Sequence, residues 1–354
     1  MNLEPSYSPS SALIALVSLC LVSTTVASSL DWSRLPPLPN KLGVAGAFAG
    51  GSGGALLVAG GANFPEGFPW QNGKKVWHDP VYALSEPNAQ WRLVGKLPRP
   101  LAYGVSLTTR RGILCVGGSG ATRHYADTFL LKWSRGRLTT SPLPGLPLPL
   151  ANAAGALVGS TVYIACGSEQ PGEISALNRC FTMDLKATPL KWEEIDPCPG
   201  KPRILPVAAT LAGGFYLAGG AAIEPLNGRP ARIYLRDSWR YRPGQGWHRL
   251  AGLPKPSVAA PSPAPVDGSA FFIVGGDDGS LAGFQPVEKH PGFPKAILGY
   301  DAAMNIWSTN GEVPAPRATT PTVFWRGRYI IPSGEVRPGV RSPEIWGLNF
   351  GGNR

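Results

Sequence analysis

The chain has 354 residues, 43% of them hydrophobic, with 11 Trp, so it can bury a large core, and its aromatic content argues against disorder. Gly (45) and Pro (38) approach a quarter of the residues without a collagen-like period, which points to an all-β chain of short strands and tight turns. The formal charge is +11, but the 33 basic residues are scattered, with no run of five or six, so no nucleic-acid-binding arm is expected.

The first element in chain order is an apolar run from Ala12 to Val22, followed by the small-residue pattern Thr25-Val26-Ala27. It reads as a signal peptide cleaved after Ala27, although no Lys or Arg precedes the apolar run. An uncleaved anchor is the alternative, but the run is short for a span of about 20 residues. No later segment is long and apolar enough to cross a bilayer. The expected organisation is residues 1–27 as leader and residues 28–354 as one domain, periplasmic or secreted and free of the membrane once processed.

Beyond the leader, an apolar run ending in a pair of small residues recurs. Leu56-Leu57-Val58-Ala59-Gly60-Gly61 is the first copy and Ile113-Leu114-Cys115-Val116-Gly117-Gly118 the second. Copies ending at Gly219-Gly220 and Gly275-Gly276 follow, with degenerate ones at Cys166-Gly167 and Ser333-Gly334, at intervals of 49 to 58 residues. That spacing fits a kelch period of about 50 and exceeds that of WD40 repeats. A Trp and then a Pro-rich link follow most copies, at Trp91, Trp192, Trp247 and Trp307, whereas the second repeat has Leu138 in place of the Trp. The sixth repeat lacks its Trp, and the missing piece stands at the other end as Asp31-Trp32-Ser33-Arg34-Leu35. The arithmetic predicts a six-bladed kelch-type β-propeller whose last blade is closed by the N-terminal strand. The small pairs are expected where strands crowd the axis, with Asn63, Ser119, Glu169, Asp277 and Glu335 just beyond them at the axial mouth.

After cleavage four cysteines remain. Cys115 and Cys166 lie in apolar runs and read as buried thiols, while Cys180 and Cys198 bracket one hairpin and form the better candidate disulfide. There is no CxxC, HExxH or HxH, and the four His fall in different repeats, so no metal site is expected. No GxSxG elbow or Walker loop is present either.

The segment richest in chemistry is Pro332-Ser333-Gly334-Glu335-Val336-Arg337-Pro338-Gly339-Val340-Arg341. A carboxylate directly follows the small pair, and two guanidinium groups lie within six residues on a Pro-Gly turn. Composition alone allows two readings, a base beside an anion-binding arginine or an ion pair pinning a loop.

This segment resembles the Gly-Glu-x-x-Pro-Gly-x-Arg stretch of the bacterial N-acetylneuraminate epimerases, the periplasmic sialic-acid mutarotases of kelch fold. Gly43–Gly50, Ala59–Phe64, Gln71-Asn72-Gly73-Lys74 and Ala102–Leu107 are similar to motifs of the same family, in a cyclically permuted order. The resemblance is strong in the first two repeats and weak in the middle three, where segments 168–177 and 277–298 have no close counterpart. It implies interconversion of the α and β anomers of a small anionic sugar, with neither metal nor cofactor. It implies Glu335 as proton acceptor and Arg341 as its paired arginine, holding the substrate carboxylate. Arg317, in Pro314-Ala315-Pro316-Arg317, is a candidate for further positive charge, and Asn63 for substrate contact. A kelch propeller that binds a protein or glycan without chemistry is the second reading. A copper-radical oxidase of related shape would need clustered Tyr, Cys and His that the sequence does not display.

Overall fold

In the computed structural model, which describes Met1 and residues 29–172 and 174–351, the chain forms six four-stranded antiparallel sheets. The leader expected over residues 1–27 lies, apart from Met1, outside the described residues. The first blade is built from Phe48–Ser52, Ala55–Ala59, Pro80–Leu84 and Arg92–Lys96. The next four occupy residues 105–143, 154–195, 207–250 and 266–312. The last combines Val323–Trp325, Arg328–Pro332 and Ile345–Gly351 with Ser29–Leu35 as its outer strand. This outer strand pairs along its whole length, with Trp32 opposite Leu348 and Arg34 opposite Trp346. The expected closure is therefore what the chain does, and it covers a sheet edge that would otherwise face water.

The second strand of a blade is apolar throughout because neighbouring blades cover both of its faces. Ala55–Ala59, Gly112–Val116 and Gly214–Ala218 are buried at every position. Outer strands such as Arg137–Leu143 are mostly exposed and polar. The core is divided accordingly into clusters at the joints between blades. Leu56 and Val58 of the first blade pack with Val323 and Ile330 of the last, and Val274 and Ile297 of the fifth pack with Ile331 and Leu348.

The repeated tryptophans hold these joints. Trp91 donates its indole N–H to the carbonyl of Pro36 at 2.8 Å, and Trp192, Trp247 and Trp307 donate to Pro144, Asp196 and Ala251 at 2.9–3.0 Å. Each acceptor lies immediately after the outer strand of the preceding blade. Leu138 can pack at this place but has no donor.

The small pairs serve a neighbouring joint. The second N–H of each pair donates to the next blade, from Gly61 to Leu101 round to Gly334 to Val44, at 2.7–2.9 Å. The first member is left-handed, at φ 63° for Gly117, 65° for Cys166 and 58° for Ser333. A Cβ on Gly117 would lie 2.2 Å from the Leu150 carbonyl oxygen, which explains the preference for glycine.

Closer to the axis lies a feature that composition does not reveal. Gly46, Tyr103, Asn152, Leu205, Ala259 and Thr319 are all left-handed, with φ of 54–64°. Each donates its N–H to the carbonyl of its counterpart one blade earlier, from Tyr103 to Gly46 and finally Gly46 to Thr319, at 2.6–2.9 Å. The six bonds form a closed backbone ring across the axis. A left-handed residue with a side chain costs about 1–2 kcal/mol, and the ring offsets that cost.

Cys115, Cys166, Cys180 and Cys198 are all free and buried. The expected Cys180–Cys198 pairing is thus corrected: both thiols pack with Cys166 in the core between the third and fourth blades. Burial pushes the Cys180 thiol up to about 12, which keeps it protonated and unreactive at neutral pH.

Candidate active site

On one side of the backbone ring a cavity of about 290 Å³ opens to solvent; Tyr103, Asn152, Leu205, Ala259 and Thr319 form its floor. Beneath the floor lies a smaller void of about 70 Å³. The cavity walls come from segments inserted between strands two and three of the blades, where a propeller leaves the chain free to vary. Lys75 and Trp77 enter from the first blade, His124 from the second, Arg232 from the fourth, Asp277 and Phe293 from the fifth, and Glu335 from the last.

Glu335 is placed by its backbone. Its N–H donates to Ala318 at 2.8 Å and its carbonyl accepts from the Ala318 N–H at 2.9 Å. The strands Glu335–Arg337 and Val340–Arg341 then form a small hairpin in which Glu335 stands opposite Arg341. The turn needs Gly339, which is left-handed at φ 77° and packs against Pro69 and Trp70. Arg337 braces the hairpin from outside, donating to the Glu288 carbonyl and lying 5.8 Å from the Trp70 ring centre.

The two residues singled out from the sequence are brought together. Nη2 of Arg341 lies 2.6 Å from Oε1 of Glu335, with the Glu335 side chain 19% exposed and that of Arg341 only 4%. The Phe64 ring covers the guanidinium at 4.6 Å. Nε and Nη1 of Arg341 are buried without hydrogen-bond partners among the described residues. Glu335 therefore forms cavity wall, while Arg341 stands behind it.

Arg317 and Asn63 stand elsewhere. Arg317 is buried and turns to Glu344 at 2.8 Å, with further bonds to the Ala315 and Pro316 carbonyls and to Ser342. It sits at the same place in its blade as Arg203, which pairs with Asp237 at a different joint. Asn63 is buried, donates through Nδ2 to the Gly43 carbonyl at 2.8 Å and accepts through Oδ1 from His78 Nε2, also at 2.8 Å. Neither lines the cavity. Of the other residues expected at the mouth, Ser119 and Asp277 line it, whereas Glu169 faces a separate outer groove.

Sequence reasoning missed His124, Arg232 and Lys75. His124 is buried, with Nε2 3.3 Å from the Ser168 hydroxyl, and burial pulls its pKa down to about 4, so it is neutral at physiological pH. Asp277 accepts a 2.7 Å bond from the Tyr234 hydroxyl and a 3.0 Å bond from Gly279 N–H. Burial, and then that bond to Asp277, hold the Tyr234 hydroxyl above its ordinary value. Among the described residues no group of three or more His, Cys, Asp or Glu is placed to hold a metal. The site offers two partly exposed carboxylates, Glu335 and Asp277, the cations Lys75 and Arg232, the covered guanidinium of Arg341 and neutral hydrogen-bonding groups, a set suited to moving protons on a small polar anion.

Residues 21–140 match the family model for N-acetylneuraminate epimerase. A protein of that name from Yersinia pestis (strain Pestoides F) is 40% identical over 229 residues, covering 57% of this chain and 56% of the relative. The N-acetylneuraminate epimerase of Pasteurella multocida (strain Pm70) is 28% identical over 225 residues, covering 56% of this chain and 57% of its own length. The chain is similar to N-acetylneuraminate epimerases over these stretches. It spans just over half the length of the curated relatives it matches. The solved structure titled "Structure of YjhT" superposes with a TM-score of 0.63 over 87% of this chain and 94% of that one, at 14% identity, a likeness of fold.

Proposed function

We propose that this protein is a mutarotase that interconverts the α and β anomers of N-acetylneuraminate, with Glu335 as the proton-transferring group. The observation that carries the reading is the Glu335–Arg341 pair at the wall of the axial cavity, in a chain similar to N-acetylneuraminate epimerases. A cavity of about 290 Å³ is of the right order for one monosaccharide.

In such a sugar the anomeric hydroxyl, the ring oxygen and the carboxylate all hang from one carbon. Glu335 takes the proton of the anomeric hydroxyl as the bond from the anomeric carbon to the ring oxygen breaks. The same carboxyl returns that proton to the ring oxygen, giving the open keto acid. Rotation about the neighbouring carbon–carbon bond turns the other carbonyl face to the hydroxyl, and the reverse transfers close the ring as the other anomer. No atom or electron is gained or lost, and the neighbouring oxygens lie within reach of one carboxylate. Arg341 keeps that carboxylate aimed between turnovers through its 2.6 Å contact. The floor supports this by rigidity, since a ring of backbone bonds holds the cavity shape without relying on side chains.

Proton-exchange NMR on N-acetylneuraminate with the purified protein tests the proposal. Faster α/β exchange than in buffer supports it. Saturable binding without faster exchange would replace it with a non-catalytic glycan-binding propeller. Export to the periplasm or beyond is part of the proposal and rests on the leader pattern. An intact mass starting near Ser28 is the expected result, and a mass retaining residues 1–27 would remove it.

A further inference from the structure

We infer that Lys75, rather than Arg341, receives the substrate carboxylate. The inference rests on the mutarotase reading and assigns it a second substrate contact. The Arg341 side chain is only 4% exposed, does not line the cavity and already meets Glu335 through Nη2, with the Phe64 ring 4.6 Å from its guanidinium, so an incoming anion has little access to it. Lys75, in contrast, is exposed and lines the cavity together with Glu335. Its ammonium lies 5.8 Å from the Phe64 ring centre, 5.7 Å from Trp77 and 5.3 Å from Tyr103. Three ring faces attract a cation and restrict where it points without cancelling its charge. Among the described residues no carboxylate lies within ion-pair distance of Lys75, so the charge is held ready for a ligand.

The arrangement also satisfies the geometry that the substrate sets. The Phe64 ring lies against both cations, 4.6 Å from the Arg341 guanidinium and 5.8 Å from the Lys75 ammonium, and Lys75 and Glu335 line the same cavity. A carboxylate on Lys75 leaves the anomeric hydroxyl, attached to the same carbon, facing the Glu335 wall. The acidic groups on the other walls do not compete for the ammonium: Asp277 accepts from Tyr234 and Gly279, across the cavity on the fifth blade. Lys75 is thus a specificity-determining residue for α-keto acid sugars over neutral ones, and the aromatic cage positions it.

The test is anomer exchange of N-acetylneuraminate and of its methyl ester, measured by NMR for wild type, Lys75→Gln, Lys75→Arg and Arg341→Ala. For the free acid we expect Lys75→Gln to raise KM by about 10-fold or more, the scale of a charge-assisted hydrogen bond, with kcat within about threefold. The methyl ester should show no such change, and Lys75→Arg should recover most of the loss. Tyr103→Phe keeps the ring face and should leave the acid-over-ester preference intact. An unchanged acid KM in Lys75→Gln, or an acid-specific rise in Arg341→Ala alone, would overturn the inference. Absence of exchange in the wild-type protein would instead overturn the mutarotase reading, leaving Lys75 to be judged by whether Lys75→Gln weakens calorimetric binding of the acid but not the ester.

Discussion

Two buried arginine–carboxylate pairs in this propeller have the same chemistry and opposite finish. Arg203 is fully buried and satisfied: Nη1 and Nη2 meet both oxygens of Asp237 at 2.8 and 2.7 Å, and the Lys201 and Gly219 carbonyls accept two more bonds at 3.0 Å. Trp239 donates to the same carboxylate at 2.6 Å. Burial alone would raise the Asp237 carboxyl, yet the guanidinium bonds outweigh it and hold the group below its ordinary value. The Arg341–Glu335 pair has a single contact, two donors without partners and a carboxylate open to the cavity. A fully satisfied pair has no capacity left for a ligand, so it fixes structure. The other pair leaves the Glu335 carboxylate open to the cavity, which is what a site needs.

The largest expected effect lies on the structural side. Arg203→Met removes one partner of a desolvated pair and leaves Asp237 buried without its cation, which costs about 3–5 kcal/mol. Calorimetric melting should show that loss while exchange per folded molecule stays at the wild-type level. A variant that keeps its Tm and loses activity would erase the distinction between the two pairs.

Arg317→Met probes an intermediate case, because Arg317 shares the structural position of Arg203 but its partner Glu344 is 38% exposed on its side chain. Solvent screens that carboxylate, so the loss should be smaller, about 1–2 kcal/mol, again with KM unchanged. A KM rise for the free acid would return Arg317 to the binding site.

The smallest effect concerns pH. His124 titrates near 4 in the folded protein against 6.5 for the free side chain, because burial disfavours its charged form. As pH falls, the unfolded chain takes the proton first. The stability held by neutral His124 is therefore full above pH 6.5 and is lost progressively toward pH 4. Melting temperature should fall across that window, and His124→Gln should flatten the fall. An identical slope in the variant would show that other groups set it.

Much of the architecture was legible because its signals are local. The small pairs mark left-handed turns and the tryptophans mark blade joints, and the unpaired Trp32 at one end of the chain completed the count of six. The central ring was not legible, since four of its six left-handed positions carry Tyr103, Leu205, Ala259 and Thr319, which no local preference would place there, and only Gly46 and Asn152 favour it. Only the tertiary bonds of the closed ring make that conformation favourable. The site was half legible. Glu335 and Arg341 lie six residues apart on one hairpin, so their juxtaposition could be read from the chain. Lys75 depends on Tyr103 from another blade for its cage, and Arg317 was misplaced because its partner lies 27 residues downstream. The repeat itself held the clue to Arg317, through the equivalent Arg203–Asp237 pair.

The measurement closest to the central claim compares wild type with Glu335→Gln in anomer exchange of N-acetylneuraminate by NMR, with melting recorded on the same samples. The amide keeps the shape of the side chain but cannot accept the proton. Exchange should slow by about 10²-fold or more, with the fold intact and binding of the sugar largely retained. Exchange at the wild-type rate in a folded Glu335→Gln protein would contradict the assignment of this pair as the working one.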